Sequence, residues 1–164
     1  MSHPAFRVLT APQYDPRVVT QSDRLKVFLA GSIDMGKAVE WQTYLIELLS
    51  DLPISVFNPR RADFDSALVQ DISCEPFVEQ VTWEIDHLDA ADVVVFYFDP
   101  AGKAPVTLLE LGLTCRTKKC LIVCPEGYWR RGNVQVVAQR YGLEMLDHLH
   151  EVRHRIGDIW TETR

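Results

Sequence analysis

No run of about 18 apolar residues occurs anywhere in this sequence, so no membrane-spanning helix and no membrane partner are expected. No charged-then-apolar leader opens it either, and a reducing, cytoplasmic setting is the expectation. Cysteine is sparse, with Cys74, Cys115, Cys120 and Cys124 as the whole complement. Cys120 and Cys124 flank an apolar stretch whose extended geometry puts them too far apart to share a tetrahedral metal, so free thiols are expected. The five histidines show no ligand spacing beyond His150 and His154, which fall in a late helical pattern and read as solvent-facing. No metal and no cofactor are expected. Basic charge is the minority sign, 17 residues against 23 acidic ones, which argues against binding a nucleic-acid polymer and leaves room for a small basic pocket. Glycine is too thinly spread for a dinucleotide fingerprint, because Gly31 follows the first apolar run without a second and third glycine. Internal repeats and low-complexity segments are absent too.

What the sequence does hold is the pattern of one ordinary globular domain. Of its 164 residues, 47% are hydrophobic and 24% charged, enough to bury about two-thirds of the surface of the unfolded chain. Residues 1–23, with Pro4, Pro12 and Pro16, read as an N-terminal arm; residues 24–164 read as a single domain. From Leu25 onward, apolar runs alternate with amphipathic segments, which predicts an α/β fold with a mostly parallel sheet. Strands are expected at 25–30, 54–57, 92–98, 120–124 and 143–146, five in all. The run at 92–98 does not alternate, so it should be covered on both faces and central. Helices are expected at 37–50, with Trp41, Tyr44, Leu45, Leu48 and Leu49 inward, and after Ser73 as N-cap, with Phe77, Val81, Ile85 and Leu88 recurring at helical spacing. Further helices are expected around Glu110, at 134–141 and up to 160.

Glu110 is the residue least at ease with its surroundings. It sits in Pro105-Val106-Thr107-Leu108-Leu109-Glu110-Leu111-Gly112-Leu113, a predicted helix with Pro105 near its first position. A carboxylate among leucines is paired, metal-bound or chemically employed, because desolvating its charge costs several kcal/mol. Within about two turns of the helix start the backbone dipole favours an anion, so an ionised nucleophile is expected. The rival reading is a structural ion pair with an arginine.

Other candidates fall where the strands end, the place where open parallel sheets bind ligands. Gly31 and Ser32 follow the first strand, with Asp34 beyond them; a turn with a helix cap and a ligand contact are both open there. Asn58, Arg60, Arg61 and Asp63 follow the second, where the arginines are either a solvated pair or a clamp for carboxylate or phosphate. Asp99, before Pro100, is either turn chemistry or a site residue. Glu84 lies one position off the expected apolar stripe; Trp83 beside it favours partial burial over a surface role.

The segments Val27-Phe28-Leu29-Ala30-Gly31-Ser32, Asn58-Pro59-Arg60-Arg61, Gln80-Val81-Thr82-Trp83-Glu84, Leu108-Leu109-Glu110-Leu111-Gly112 and Gly132-Asn133-Val134, with the 91–100 strand, together resemble the nucleoside 2-deoxyribosyltransferase family. The resemblance spans about residues 25–141 and is closest to its deoxyribosyltransferase-like branch. It implies a flavodoxin-like three-layer sandwich and transfer of 2-deoxyribose between nucleobases through a covalent glutamyl-sugar intermediate. On this resemblance Glu110 matches the nucleophile, Glu84 the acidic residue that orients sugar or nucleophile, and Asn133 an asparagine reaching the sugar in a neighbouring subunit. A homo-oligomer acting on a nucleoside or nucleotide and a free nucleobase follows. The acidic position that assists the departing base falls near Ala104, which leaves Asp99 to take that task. Gly31, Ser32, Asn58, Arg60, Arg61 and Trp83 are then the expected substrate-binding residues. Hydrolysis of the N-glycosidic bond of a deoxynucleoside or deoxynucleotide, and a non-catalytic nucleotide-binding module, are the alternatives.

Overall fold

A computed structural model describes residues 1–33, 40–63, 65 and 67–163. Asp34 and the first part of the helix expected from 37 lie outside the described residues. Six strands build one sheet: β1 (Arg7–Thr10), β2 (Lys26–Gly31), β3 (Ser55–Asn58), β4 (Val93–Tyr97), β5 (Lys119–Val123) and β6 (Glu144–Leu146). Every neighbouring pair is parallel, and the order is β1-β3-β2-β4-β5-β6. Leaving β1 aside, this is the doubly wound order of flavodoxin-like folds, whose chain reverses its direction of travel between β2 and β4.

The sheet has six strands where five are expected, and the sixth comes from the arm. Residues Arg7–Thr10 pair with Ser55–Asn58 along the edge, Val8 opposite Val56 and Leu9 opposite Phe57. Further along, the Gln13 carbonyl accepts a 2.8 Å hydrogen bond from the Trp83 indole, so the arm is fastened to the body at two places.

Helices cover both faces. On one side lie α2 (Trp41–Leu49) and α6 (Leu149–Glu162), packing Trp41, Leu45, Leu49, Val152, Ile156 and Ile159 on Val27, Leu29, Val93, Val95 and Leu121. On the other lie α3 (Glu75–Ala90), α4 (Pro105–Thr114) and α5 (Arg131–Tyr141), packing Trp83, Leu88, Leu111, Val134 and Ala138 on Phe28, Ala30, Phe96, Phe98 and Ile122. The short α1 (Pro16–Val19) joins this second core through Val18. Alternate residues of β2 and β4 face opposite layers, and both sets are apolar, which is why the 92–98 run shows no alternation. Each fully buried leucine, valine or phenylalanine stabilises the fold by roughly 1.5–3 kcal/mol, so the two-sided sheet anchors the domain.

Three expectations about helix faces are corrected. Tyr44 is 45% exposed and does not share the inward side of α2. Helix α3 takes Cys74, not Ser73, as its N-cap residue, and no side-chain cap hydrogen bond is made. Its buried face is Gln80, Trp83, His87 and Leu88, while Ile85 is 49% exposed; the apolar stripe through Phe77, Val81 and Ile85 is rotated away from the core. Glu84 lies between Gln80 and Leu88 at helical spacing, so this rotation turns it inward.

Gly31 closes β2 opposite Tyr97. A β-carbon there would overlap the Trp41 ring at Cζ2 and stand 2.7 Å from the Tyr97 carbonyl oxygen, a backbone atom held in the sheet register. Gly31→Ala is therefore expected to lower stability by about 2–3 kcal/mol, measured as a fall in the urea midpoint with an unchanged slope.

Candidate active site

At the point where the strand order reverses, the chain leaves β2 towards α2 on one face and leaves β4 towards α4 on the other, which opens a crevice between them. Ser32 ties the two strand ends together. Its backbone N–H donates to the Tyr97 carbonyl at 3.0 Å, and its hydroxyl oxygen accepts from the Asp99 N–H at 3.0 Å. Its own carbonyl accepts from the Trp41 indole at 3.0 Å. Ser32 and Asp99 are both buried, and Asp99 Oδ1 accepts from the Ala101 N–H at 2.9 Å in a local turn. Burial first, and then the Asp99 charge, raise the ionisation point of the Tyr97 phenol, so the Asp99 carboxylate acts on the same rim.

The 99–104 loop delivers α4. Ala104, the N-cap residue, adopts φ 45° and ψ 53°, a left-handed conformation that costs an L-alanine about 1–2 kcal/mol and that the following proline opposes further. Neighbouring side chains hold it there: the Lys103 carbonyl accepts from the Tyr128 hydroxyl at 2.7 Å and from the Trp129 indole at 3.0 Å. The start of α4, and with it the direction of Glu110, is fixed at the expense of local strain.

Glu110 is buried on the inward face of α4 with Thr107, Leu111 and Thr114. Burial, and after it the charge of Glu84, push its carboxyl up to about 8. The expectation of an ionised group is corrected: Glu110 is the sixth residue of α4, and the field of a helix end fades within the first turn. Burial also raises Glu84, against the hydrogen bond it accepts from Gln80 Nε2 at 2.8 Å. Among the described residues no arginine is hydrogen-bonded or ion-paired to Glu110, and its ionisation point is raised where an ion pair would lower it.

Around this carboxyl pair the other candidates divide. Asn58 Oδ1 accepts from the Arg60 N–H at 3.1 Å, and Arg60 Nη1 donates to Gln42 Oε1 at 3.3 Å, with Glu40 at 3.9 Å from its Nη2. Arg61 turns to Asp63, at 3.0 Å from Nε, in an exposed pair. Trp83 is buried and structural in its contacts, stacked at 3.8 Å on His87 and hydrogen-bonded to the arm. Asn133 is exposed on α5, in a groove of about 310 Å³ lined with Leu108, Leu111, Gly112, Arg130 and Val134, and Glu110 is not among the lining residues. Two buried carboxamides, Gln42 and Gln80, stand among the candidates without having been singled out from the sequence; the available signal was Gln80 one helical turn before Glu84.

Among the described residues no group of three or more histidines, cysteines or acids is arranged to hold a metal ion, and no helix is long and apolar enough to cross a membrane. All four cysteines are free, and burial raises the Cys120 and Cys124 thiols to about 11.

A parallel sheet whose order reverses between β2 and β4, with the buried Glu110 on a flanking helix and the half-buried Glu84 acting on its ionisation, is the frame of a doubly wound α/β domain. Residues 24–128 match the family described as nucleoside 2-deoxyribosyltransferase like, and the chain belongs to that family. Glu84, Asp99 and Glu110 fall inside the matched region, and Asn133 falls beyond it. Among solved structures, the crystal structure of a conserved protein from Enterococcus faecalis V583 is similar with a TM-score of 0.61 at 12% identity, over 82% of this chain and 98% of that one; the likeness is one of fold. No curated protein matches.

Proposed function

We propose that the protein cleaves the N-glycosidic bond of 2-deoxynucleosides and passes the deoxyribose to a second nucleobase through an ester on Glu110. The observation that carries this reading is the buried carboxyl of Glu110, raised by burial and by the charge of the half-buried Glu84, in a chain of the deoxyribosyltransferase-like family. Burial raises the ionisation points of both carboxyls, and the charge of Glu84 raises Glu110 further, so the two titrate apart from ordinary glutamates. Glu110 holds its proton at rest, and in the form that reacts it has given that proton up while Glu84 keeps its own; the Glu110 carboxylate then attacks C1′ of the sugar. The C1′–N bond breaks, its electron pair goes to the base, and Glu84 protonates the departing nitrogen. An incoming base then attacks C1′, Glu110 leaves as carboxylate, and the proton of the new base returns to Glu84. Asp99, the acid favoured on sequence, has its backbone on Ser32 and one carboxylate oxygen in the Ala101 turn, and is assigned to shaping the rim.

Gly31, Ser32 and Asn58 are assigned to substrate contacts at the strand ends, and Arg60, hydrogen-bonded to Gln42, leaves a 5′-phosphate admissible beside a plain nucleoside. Incubation with a deoxynucleoside and a different free base tests the reading. Exchange of base marks a transferase; release of sugar into water marks a hydrolase. Ligand binding without release of base marks a non-catalytic nucleotide-binding module and sinks the proposal.

We assign Asn133 to the site of a neighbouring copy. An exposed apolar stripe on α4, Val106, Leu109 and Leu113 at 56–63% exposure, supports this, with Val136 at 66% one turn beyond the exposed Asn133 on α5. The purified protein is expected to sediment as a multiple of its 18.8 kDa chain, and Leu109→Glu to shift it towards the single chain. A monomer with full activity would end that assignment. Free thiols, with Cys120 and Cys124 buried and raised, agree with work in a reducing cytoplasm, in nucleoside salvage.

A further inference from the structure

Gln80 is 5% exposed and sits one turn before Glu84 on α3. Its Nε2 donates to the Pro59 carbonyl at 3.0 Å and to Glu84 Oε1 at 2.8 Å. A backbone carbonyl only accepts, so the carboxamide cannot be turned about: its NH₂ has to face Pro59 and Glu84. That orientation leaves Gln80 Oε1 buried without a hydrogen-bond partner, an arrangement that lowers stability. A glutamine kept under that penalty is set for something other than packing.

The two bonds form a chain of support. The loop that ends β3 fixes Gln80 through Pro59, and Gln80 fixes Glu84 through Oε1. With Oε1 occupied by an N–H, the acid form of Glu84 carries its proton on Oε2, the oxygen that Gln80 does not engage. We propose that Gln80 is a positioning residue for Glu84, holding the carboxyl in place and directing its proton to Oε2 for delivery to the departing base. This rests on the reading of Glu84 as the proton carrier. The titratable group coupled to Glu84 from α4 is Glu110; the Pro59 carbonyl of the β3 loop reaches Glu84 only through Gln80, and on α3 the next titratable residue inward is His87, whose ionisation point burial lowers.

The test follows the Glu84 carboxyl carbon by ¹³C NMR in glutamate-labelled protein, with the resonance assigned through Glu84→Gln, alongside kcat and KM for base release. Gln80→Met keeps the volume and removes both donors. It is expected to move the Glu84 titration to higher pH and to lower kcat roughly 10- to 100-fold with little change in KM. Gln80→Glu keeps the length and, as an acid, has one donor for two acceptors, so its activity is expected to recover as the pH falls. It also serves should the methionine variant fold poorly. If the parent releases base and both variants keep its titration and kcat, Gln80 is only a packing residue and the inference is wrong. If the parent releases no base at all, the reading of Glu84 as a proton carrier falls, and this role falls with it whatever the titration does.

Discussion

Glu110→Gln is expected to lower release of base by at least about 10⁴-fold while leaving the fold intact. Glutamine has nearly the same volume and fits the inward face of α4 beside Thr107 and Thr114, so the sheet and its reversal point are undisturbed. What it lacks is a carboxylate oxygen able to form a stable ester with C1′. A nucleophile's removal takes away the covalent route itself, so the loss should appear in kcat; KM should change little, because the hydrogen bonds of Ser32 and Asn58 at the strand ends involve other residues and are untouched. Single-turnover base release in parent and variant measures it. Activity within tenfold of the parent would show that the sugar never bonds to Glu110.

The same substitution is expected to remove much of the protein's alkaline instability. The Glu110 carboxyl titrates near 4.5 when unfolded and near 8 when folded. Between those values the native protein holds a proton that the unfolded chain has released. Stability is therefore fullest below about pH 4.5 and falls as the pH rises towards 8, by about 1.4 kcal/mol per unit and roughly 5 kcal/mol in all. Burial raises Glu84 too, which adds in the same direction. The carboxylates held low by partners, among them Asp51 beside Arg153 and Asp63 beside Arg61, are exposed and act at acid pH, outside this window. Urea unfolding at pH 5 and pH 9 should show a steep loss in the parent and a much smaller one in Glu110→Gln, which is then the more stable protein in alkali. Equal losses would mean that the buried carboxyl is ionised at ordinary pH. A residue whose removal stabilises the fold and stops the chemistry is retained for its chemistry.

The fold was legible where burial is two-sided. Strands β2, β4 and β5 are apolar at nearly every position because helices cover both faces, and such runs stand out in sequence. β1 is four residues long, on the edge, with only Leu9 buried, and prolines on either side of it mask what little pattern it has. Helix α3 misled for a different reason. Its inward face holds Gln80, Glu84 and His87, so the periodicity followed Phe77, Val81 and Ile85, which are half-buried or exposed. Hydrophobic pattern fails where a functional site replaces apolar core with polar groups. Glu110 escaped that blindness, since its neighbours Leu108, Leu109 and Leu111 left no polar face to assign it to. Its protonation state did not escape, because its burial and the charge of Glu84, 26 residues away on another helix, come from tertiary packing, which no local spacing encodes. The part of Gln80 was hidden likewise, for its second partner is a backbone carbonyl 21 residues away.

The central claim is that deoxyribose resides on Glu110 between the two halves of the reaction. Rapid acid quench of the protein mixed with a deoxynucleoside, followed by peptide mass analysis, examines it directly. The account predicts a gain of one deoxyribosyl group on the peptide that contains Glu110, absent in Glu110→Gln and lost when an acceptor base is added before the quench. Release of base in the burst phase with no such adduct, or an adduct on any other residue, would contradict it.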